Sequence, residues 1–112
     1  MRLLISMLFL LPLAALPPQG GRGEPKNLKI LKPEQVMPMM RSFTTGLGVK
    51  CDFCHVSGDF SSDDKRTKLT ARRMIEMVGQ INTNNFNGRE RVSCYTCHHG
   101  ENEPKSAPPA AQ

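Results

Sequence analysis

Apolar positions fall in three stretches of the 112-residue chain, and each has its own pattern. The first is a predominantly apolar run from Leu3 to Leu11 behind a single Arg2, followed by Pro12 and small residues. That order of charge, apolar run and small residues is the layout of a secretory signal peptide, here residues 1–15, with cleavage expected after Ala15. The run extends at most to Leu16, short of the roughly 20 residues that cross a bilayer, so an uncleaved membrane-associated segment is the weaker alternative. Residues 16–27, rich in Pro and Gly, read as a flexible linker.

The second stretch predicts a helix within Pro33–Thr45. Pro33 suits an opening position, and Gly46 and Gly48 stand ready to end the helix. Pro38 conflicts with a helix interior, because it has no N–H to donate; the helix either begins near Met37 or kinks there. The third stretch follows a polar loop, residues 57–68, in which Asp63, Asp64 or Thr67 could cap a helix. Met74, Met77, Val78 and Ile81 recur at i, i+3, i+4 and i+7, which predicts one apolar face of a helix over roughly Lys68–Ile81. The sequence NTNNFNG, residues 82–88, is expected to stop it, and the tail 101–112 is expected to be flexible.

Composition makes these helices inadequate by themselves. Hydrophobic residues are 38% of the chain, with no Trp and one Tyr, and part of that share lies in the signal segment. About 97 remaining residues with so little apolar bulk form a marginal core, and chains of this size are stapled by disulfides, a metal or a cofactor. Without residues 1–15 the formal charge falls from +5 to +4. No basic stripe interleaves with aromatics, so nucleic acid is not an expected partner; an acidic protein surface fits a mildly basic chain better.

The four cysteines supply the staple. They occur as Cys51-Asp52-Phe53-Cys54-His55 and Cys94-Tyr95-Thr96-Cys97-His98, two CxxCH pentads that use every cysteine and two of the three histidines. Covalent haem c needs two thiols at one porphyrin edge and a neutral imidazole beneath the iron, and CxxCH supplies all three. A zinc ribbon separates its CxxC pairs by about 15–20 residues and has no need of a following His; here 39 residues intervene. Disulfides within each CxxC would close very small loops and stabilise little. Two haems, through Cys51, Cys54 and His55 and through Cys94, Cys97 and His98, are the expected cofactors.

The halves repeat. Each has a methionine-bearing helix, a Gly-containing turn or loop, and a Val two residues before its pentad. Five methionines, Met37, Met39, Met40, Met74 and Met77, lie in the two predicted helices, where gap-filling in a core is methionine's commonest use.

The strings MRSFTTGLGVKCDFCHVSGDF and TARRMIEMVGQIN…VSCYTCHHG resemble the cytochrome c subunit of photosynthetic reaction centres and small bacterial c-type cytochromes of that family, over roughly Leu28 to Pro109. The resemblance implies a mainly α fold, a small multihaem cytochrome c of two helix–turn–CxxCH units around two haems with long loops, over residues 28–100. It also implies that a Met on each helix is the second axial ligand of the haem attached downstream. Carried over, Met40 takes that role for the first haem and Met74 for the second, with Met37 and Met39 competing for the first and Met77 for the second. The family's subunit carries four haems, one with two His ligands; this chain has two pentads, and Gly88 stands where that family places the additional His.

Irons closed by His and Met have no open position for substrate, so the expected function is electron transfer rather than catalysis. Redox proteins, acidic or membrane-bound, are the expected partners, and the periplasm or the extracellular space the expected location. The alternatives are a dihaem peroxidase or small-molecule reductase with one open iron, or a subunit of an extracellular cytochrome filament. An enzyme needs an acid–base group, for which only His99 and Glu76 offer themselves. His99 is expected to be exposed or bonded to a propionate. The basic run Lys65, Arg66, Lys68, Arg72 and Arg73 is expected to be a solvated face, with one or two members pairing with propionates.

Overall fold

The computed structural model describes residues 23–111; the signal segment and the first part of the linker lie outside them. Among the described residues the fold is helical, with a single isolated bridge between Val56 and Asp59 and no strand. A 3-10 turn over Pro33–Gln35 leads directly into α1, Val36–Leu47; α2 is Cys51–Cys54, α3 is Arg66–Phe86 and α4 is Cys94–His98. No described helix is long and apolar enough to cross a membrane.

Pro38 is accommodated without a kink because it is the third residue of α1. The first four N–H groups of an α-helix have no intrahelical acceptor, so a residue that lacks one costs nothing there. Of the two glycines expected to end the helix, only Gly48 does so, at φ +65° in the left-handed conformation. Gly46 lies inside α1 and is buried.

α3 runs five residues beyond its expected end at Ile81. The NTNNF segment is helical, and the stop comes at Asn87, φ 53°, followed by Gly88. Two side chains compensate for the weak helix propensity of this polar run. Asn85 Nδ2 donates to Ile81 O at 3.0 Å, and Asn82, 8% exposed, uses its whole amide. Asn82 Nδ2 donates to Val92 O at 2.8 Å, while Oδ1 accepts from the N–H groups of Arg91 and Val92 at 3.0 Å each. One asparagine therefore ties the long helix to the segment that enters the second pentad. Replacing Asn82 by Leu keeps the bulk and leaves three backbone groups without their partner. We expect a loss of about 2–4 kcal/mol, measured by denaturant unfolding of the cofactor-loaded protein.

The expected caps of α3 do not cap it. Lys65 is the N-cap residue, without a side-chain cap hydrogen bond. Thr67 Oγ1 instead donates to Phe53 O at 2.5 Å, and Lys65 Nζ donates to Asp52 O. Both bonds fasten the start of α3 onto α2.

Helix packing is crossed between the two repeats: α1 lies against α4, and α2 against α3. Glycine makes the first contact possible. A Cβ at Gly46 would stand 3.1 Å from both Cys94 Cβ and Tyr95 N, and one at Gly48 would stand 1.9 Å from Gly100 O. Gly100 N–H also donates to Gly46 O at 2.8 Å. The turn before the first pentad is thus locked onto the second pentad by backbone contact.

No described hydrophobic residue is buried. The helices touch through turns and pentads and do not close an apolar core between them.

Candidate functional site

Each pentad opens on a helical turn, which places its two cysteines, three positions apart, on a common side. The two turns end differently. His55 leaves α2 in an extended conformation, whereas His98 is the last residue of α4 and His99 takes the left-handed conformation at φ 51°. All four cysteines are free thiols. Cys54 and Cys94 are half-buried, and burial pushes both thiols up from their ordinary value, which makes them poorer thiolates for zinc or disulfide chemistry. Among the described residues no three His, Cys, Asp or Glu side chains converge as zinc would require.

The ring nitrogens of the two pentad histidines have equivalent partners. His55 Nδ1 lies 2.9 Å from Phe60 O, and His98 Nδ1 lies 2.9 Å from Glu101 O. A carbonyl oxygen only accepts, so Nδ1 carries the proton in both rings. In the neutral form an imidazole so held presents the Nε2 lone pair, the arrangement in which histidine ligates a metal. The Phe60 ring also meets His55 edge-on at 5.1 Å, which helps to hold the plane of the imidazole.

Two clefts accompany the pentads, one between α1, α3 and the start of the second pentad, the other beside the start of the first. One, of about 190 Å³, is lined by Met39 and Phe43 of α1, Ile75 and Val78 of α3, and Val92 and Cys94. The other, wide and open at about 700 Å³, is lined by Thr44, Val49, Lys50, Cys51, Asp52 and Phe60. Gly79 also lines the first cleft, and a Cβ there would meet nothing within 4 Å. A mid-helix glycine costs roughly 0.5–1 kcal/mol relative to alanine, and no protein neighbour accounts for this one; a flat group held close to the helix would. The apolar wall of the first cleft with Cys94 in its lining, and Cys51 in the lining of the second, fit covalently attached haem, which the histidine of each pentad would ligate.

The chain matches the photosynthetic reaction centre cytochrome C subunit family over residues 23–109. It belongs to that family. It is 37% identical over 109 residues to the photosynthetic reaction center cytochrome c subunit of Thermochromatium tepidum, covering 86% of this chain and 27% of that protein. With the corresponding subunit of Roseobacter denitrificans it shares 45% identity over 62 residues, 48% of this chain and 17% of the relative. It is also similar to cytochrome c-554 of Chloroflexus aurantiacus, 35% identical over 71 residues, 57% of this chain and 17% of the relative. The matches span no more than about a quarter of the length of these relatives. Membership in a cytochrome c family and the two pentads agree on covalent haem c as the group these residues hold.

The methionines are distributed over α1 and α3. Met40 is half-buried on α1, while Met74 and Met77 on α3 are 40% and 43% exposed. The residues of α3 that line the cleft beside Cys94 are Ile75, Val78, Gly79 and Asn82, so the expected Met74, Met77, Val78, Ile81 stripe is not the face the helix turns to that cleft. Met39 lines it from α1. His99 is exposed and packs edge-on against Tyr95 at 5.5 Å, and neither it nor Glu76 lines either cleft.

The basic run departs most from expectation. Lys68 and Arg72 are engaged by the loop after the first pentad and Lys65 by Asp52 of α2, while Arg66 and Arg73 stay exposed as expected. Lys68 Nζ donates to Phe60 O and Ser61 O at 3.0 Å and to Ser62 O at 2.7 Å, and lies 3.1 Å from Asp63 Oδ1. Arg72 holds both oxygens of Asp63 at 3.0 Å and donates to Asn27 O. The Arg72 guanidinium, helped by the Asn27 amide and Lys68, keeps the Asp63 carboxyl well below the usual carboxylate range. Alternating cations and polar residues between two helices give no sign in sequence of which cation turns back onto a loop.

Proposed function

We propose that the protein is an electron-transfer carrier with two covalent haem c groups. One is held by Cys51, Cys54 and His55, the other by Cys94, Cys97 and His98, with Met40 and Met74 as the second axial ligands. The observation that carries this reading is the matched pair of Nδ1 bonds to backbone carbonyls, which leaves Nε2 of each pentad histidine as the nitrogen that can ligate a metal. Bound haem supplies the one-electron couple. The chain contributes attachment through its thiols, orientation through the Phe60 and Glu101 carbonyls, and an apolar wall from α1 and α3.

The locked contact of Gly46 and Gly48 with Cys94, Tyr95 and Gly100 holds the two pentads at a fixed separation. That rigidity favours passage of electrons between two sites, because neither has to reorganise relative to the other. An enzyme would place an acid–base group beside an open coordination position; the relatives are named as cytochromes, which supports the carrier reading. The partners proposed are redox proteins, acidic or membrane-bound, met in the periplasm or outside the cell after export through residues 1–15. Denaturing mass spectrometry of protein made in a host with intact cytochrome maturation should show two haem additions, and Cys94→Ala with Cys97→Ala should leave one. A single addition to the unmutated chain would overturn the two-haem assignment.

A further inference from the structure

The two proposed haem sites share a histidine geometry but differ in what stands behind it. Phe60 O accepts from His55 Nδ1 at 2.9 Å and from Lys68 Nζ at 3.0 Å. The same ammonium is only 12% exposed, is surrounded by two further carbonyls, and faces the Asp63 carboxylate. At the second pentad, Glu101 O accepts from His98 Nδ1, and the Glu101 side chain turns to Lys105 at 3.7 Å. Among the described residues no side-chain cation reaches the Glu101 carbonyl.

We infer that Lys68 is a positioning residue for His55, acting through the shared Phe60 carbonyl to set the first haem site apart in potential from the second. The inference rests on the two-haem reading above. A histidine that donates to a strong acceptor gains electron density and stabilises the oxidised metal, since outer partners tune the basicity of a ligating imidazole. An ammonium on the same carbonyl oxygen withdraws density from it and weakens it as an acceptor for Nδ1–H. The His55 imidazole is then the poorer electron donor of the two, and the reduced state of its site is favoured. Asp63 moderates this effect, because its carboxylate neutralises part of the Lys68 charge and Arg72 holds it in place.

The network therefore predicts shifts of opposite sign from two neighbouring substitutions. Lys68→Met should lower the potential of one haem and leave the other in place. The expected change is a factor of about three to ten in the reduction equilibrium, the upper figure being ~59 mV for one electron. Asp63→Asn should raise the same potential, and Lys68→Arg, which keeps the cation, should leave it closer to the parent than Lys68→Met does. Arg66→Met removes an equal charge two residues away from an exposed position and should shift neither haem as far.

Spectropotentiometric titration of the loaded protein reads all four variants, with haem count by mass spectrometry measured alongside. Two haems with both potentials unmoved in Lys68→Met would overturn the role of Lys68, as would equal shifts of both haems or shifts of the same sign in Lys68→Met and Asp63→Asn. A haem count other than two in the parent protein would instead overturn the reading on which it rests. If Lys68→Met does not accumulate, the Asp63→Asn and Lys68→Arg pair still decides the matter by sign.

Discussion

Changing all four cysteines to alanine is expected to abolish cooperative folding, a loss equal to the whole stability of the domain. The thiols themselves contribute little packing; the reason lies in what the described helices leave open. No described hydrophobic residue is buried, and Met74, Met77, Leu69 and Phe86 all stay partly in water. Burial of apolar surface at about 25 cal/mol per Å² is the main favourable contribution to folding, and in the described residues that surface stays partly exposed instead of closing a core. Ordering costs about 1.5 kcal/mol per residue, which hydrogen bonds such as those of Asn82 and Lys68 do not offset alone. Circular dichroism of the four-alanine variant should show reduced helix and no sigmoidal melt. A sharp thermal transition with the parent helix content would mean that the polypeptide folds without its cofactors.

The same feature decides what could be read from the amino-acid order. CxxCH is local chemistry, and both pentads open on a helical turn, Cys51–Cys54 and Cys94–His98. The start of α1 was legible near Met37 because Pro33 and Pro38 act through their own backbone constraints, whereas its end came past the expected Thr45, at Leu47 before Gly48. The end of α3 was not. The NTNNF run looks like a stop by propensity, yet Asn82 is buried against residues 91 and 92, and a contact ten positions away overrides local preference. The crossed packing was hidden for a related reason. Gly46 reads as a helix terminator until Cys94 is seen 3.1 Å from where its Cβ would be. Arg66 and Arg73 are exposed as read, but Lys68 and Arg72 were misread as solvated because nothing in a sequence shows a loop folding back over them.

The proposed axial ligation by methionine carries the second large effect, and it separates carrier from enzyme. Thioether sulfur is a soft, weak ligand that raises the potential of haem iron, and it stays bound only if its helix is held rigidly. α3 meets that condition: its start is fastened to α2 by Thr67 and Lys65, and its end to the second pentad by Asn82. Met74→Ala should therefore open one of the two irons, convert half of the haem to a form that binds carbon monoxide, and lower that haem's potential. Met77, one helical turn further on and 43% exposed, should behave as a packing residue; Met77→Ala should cost about 1 kcal/mol, below the usual range for a fully buried methionine, and leave both spectra low-spin. Optical titration with carbon monoxide distinguishes the two variants directly. Carbon monoxide binding by Met77→Ala and not by Met74→Ala would transfer the ligand role to Met77. Turnover of peroxide by an unmutated protein with one high-spin haem would replace the carrier with an enzyme, since only an iron lacking its sulfur has a position for substrate.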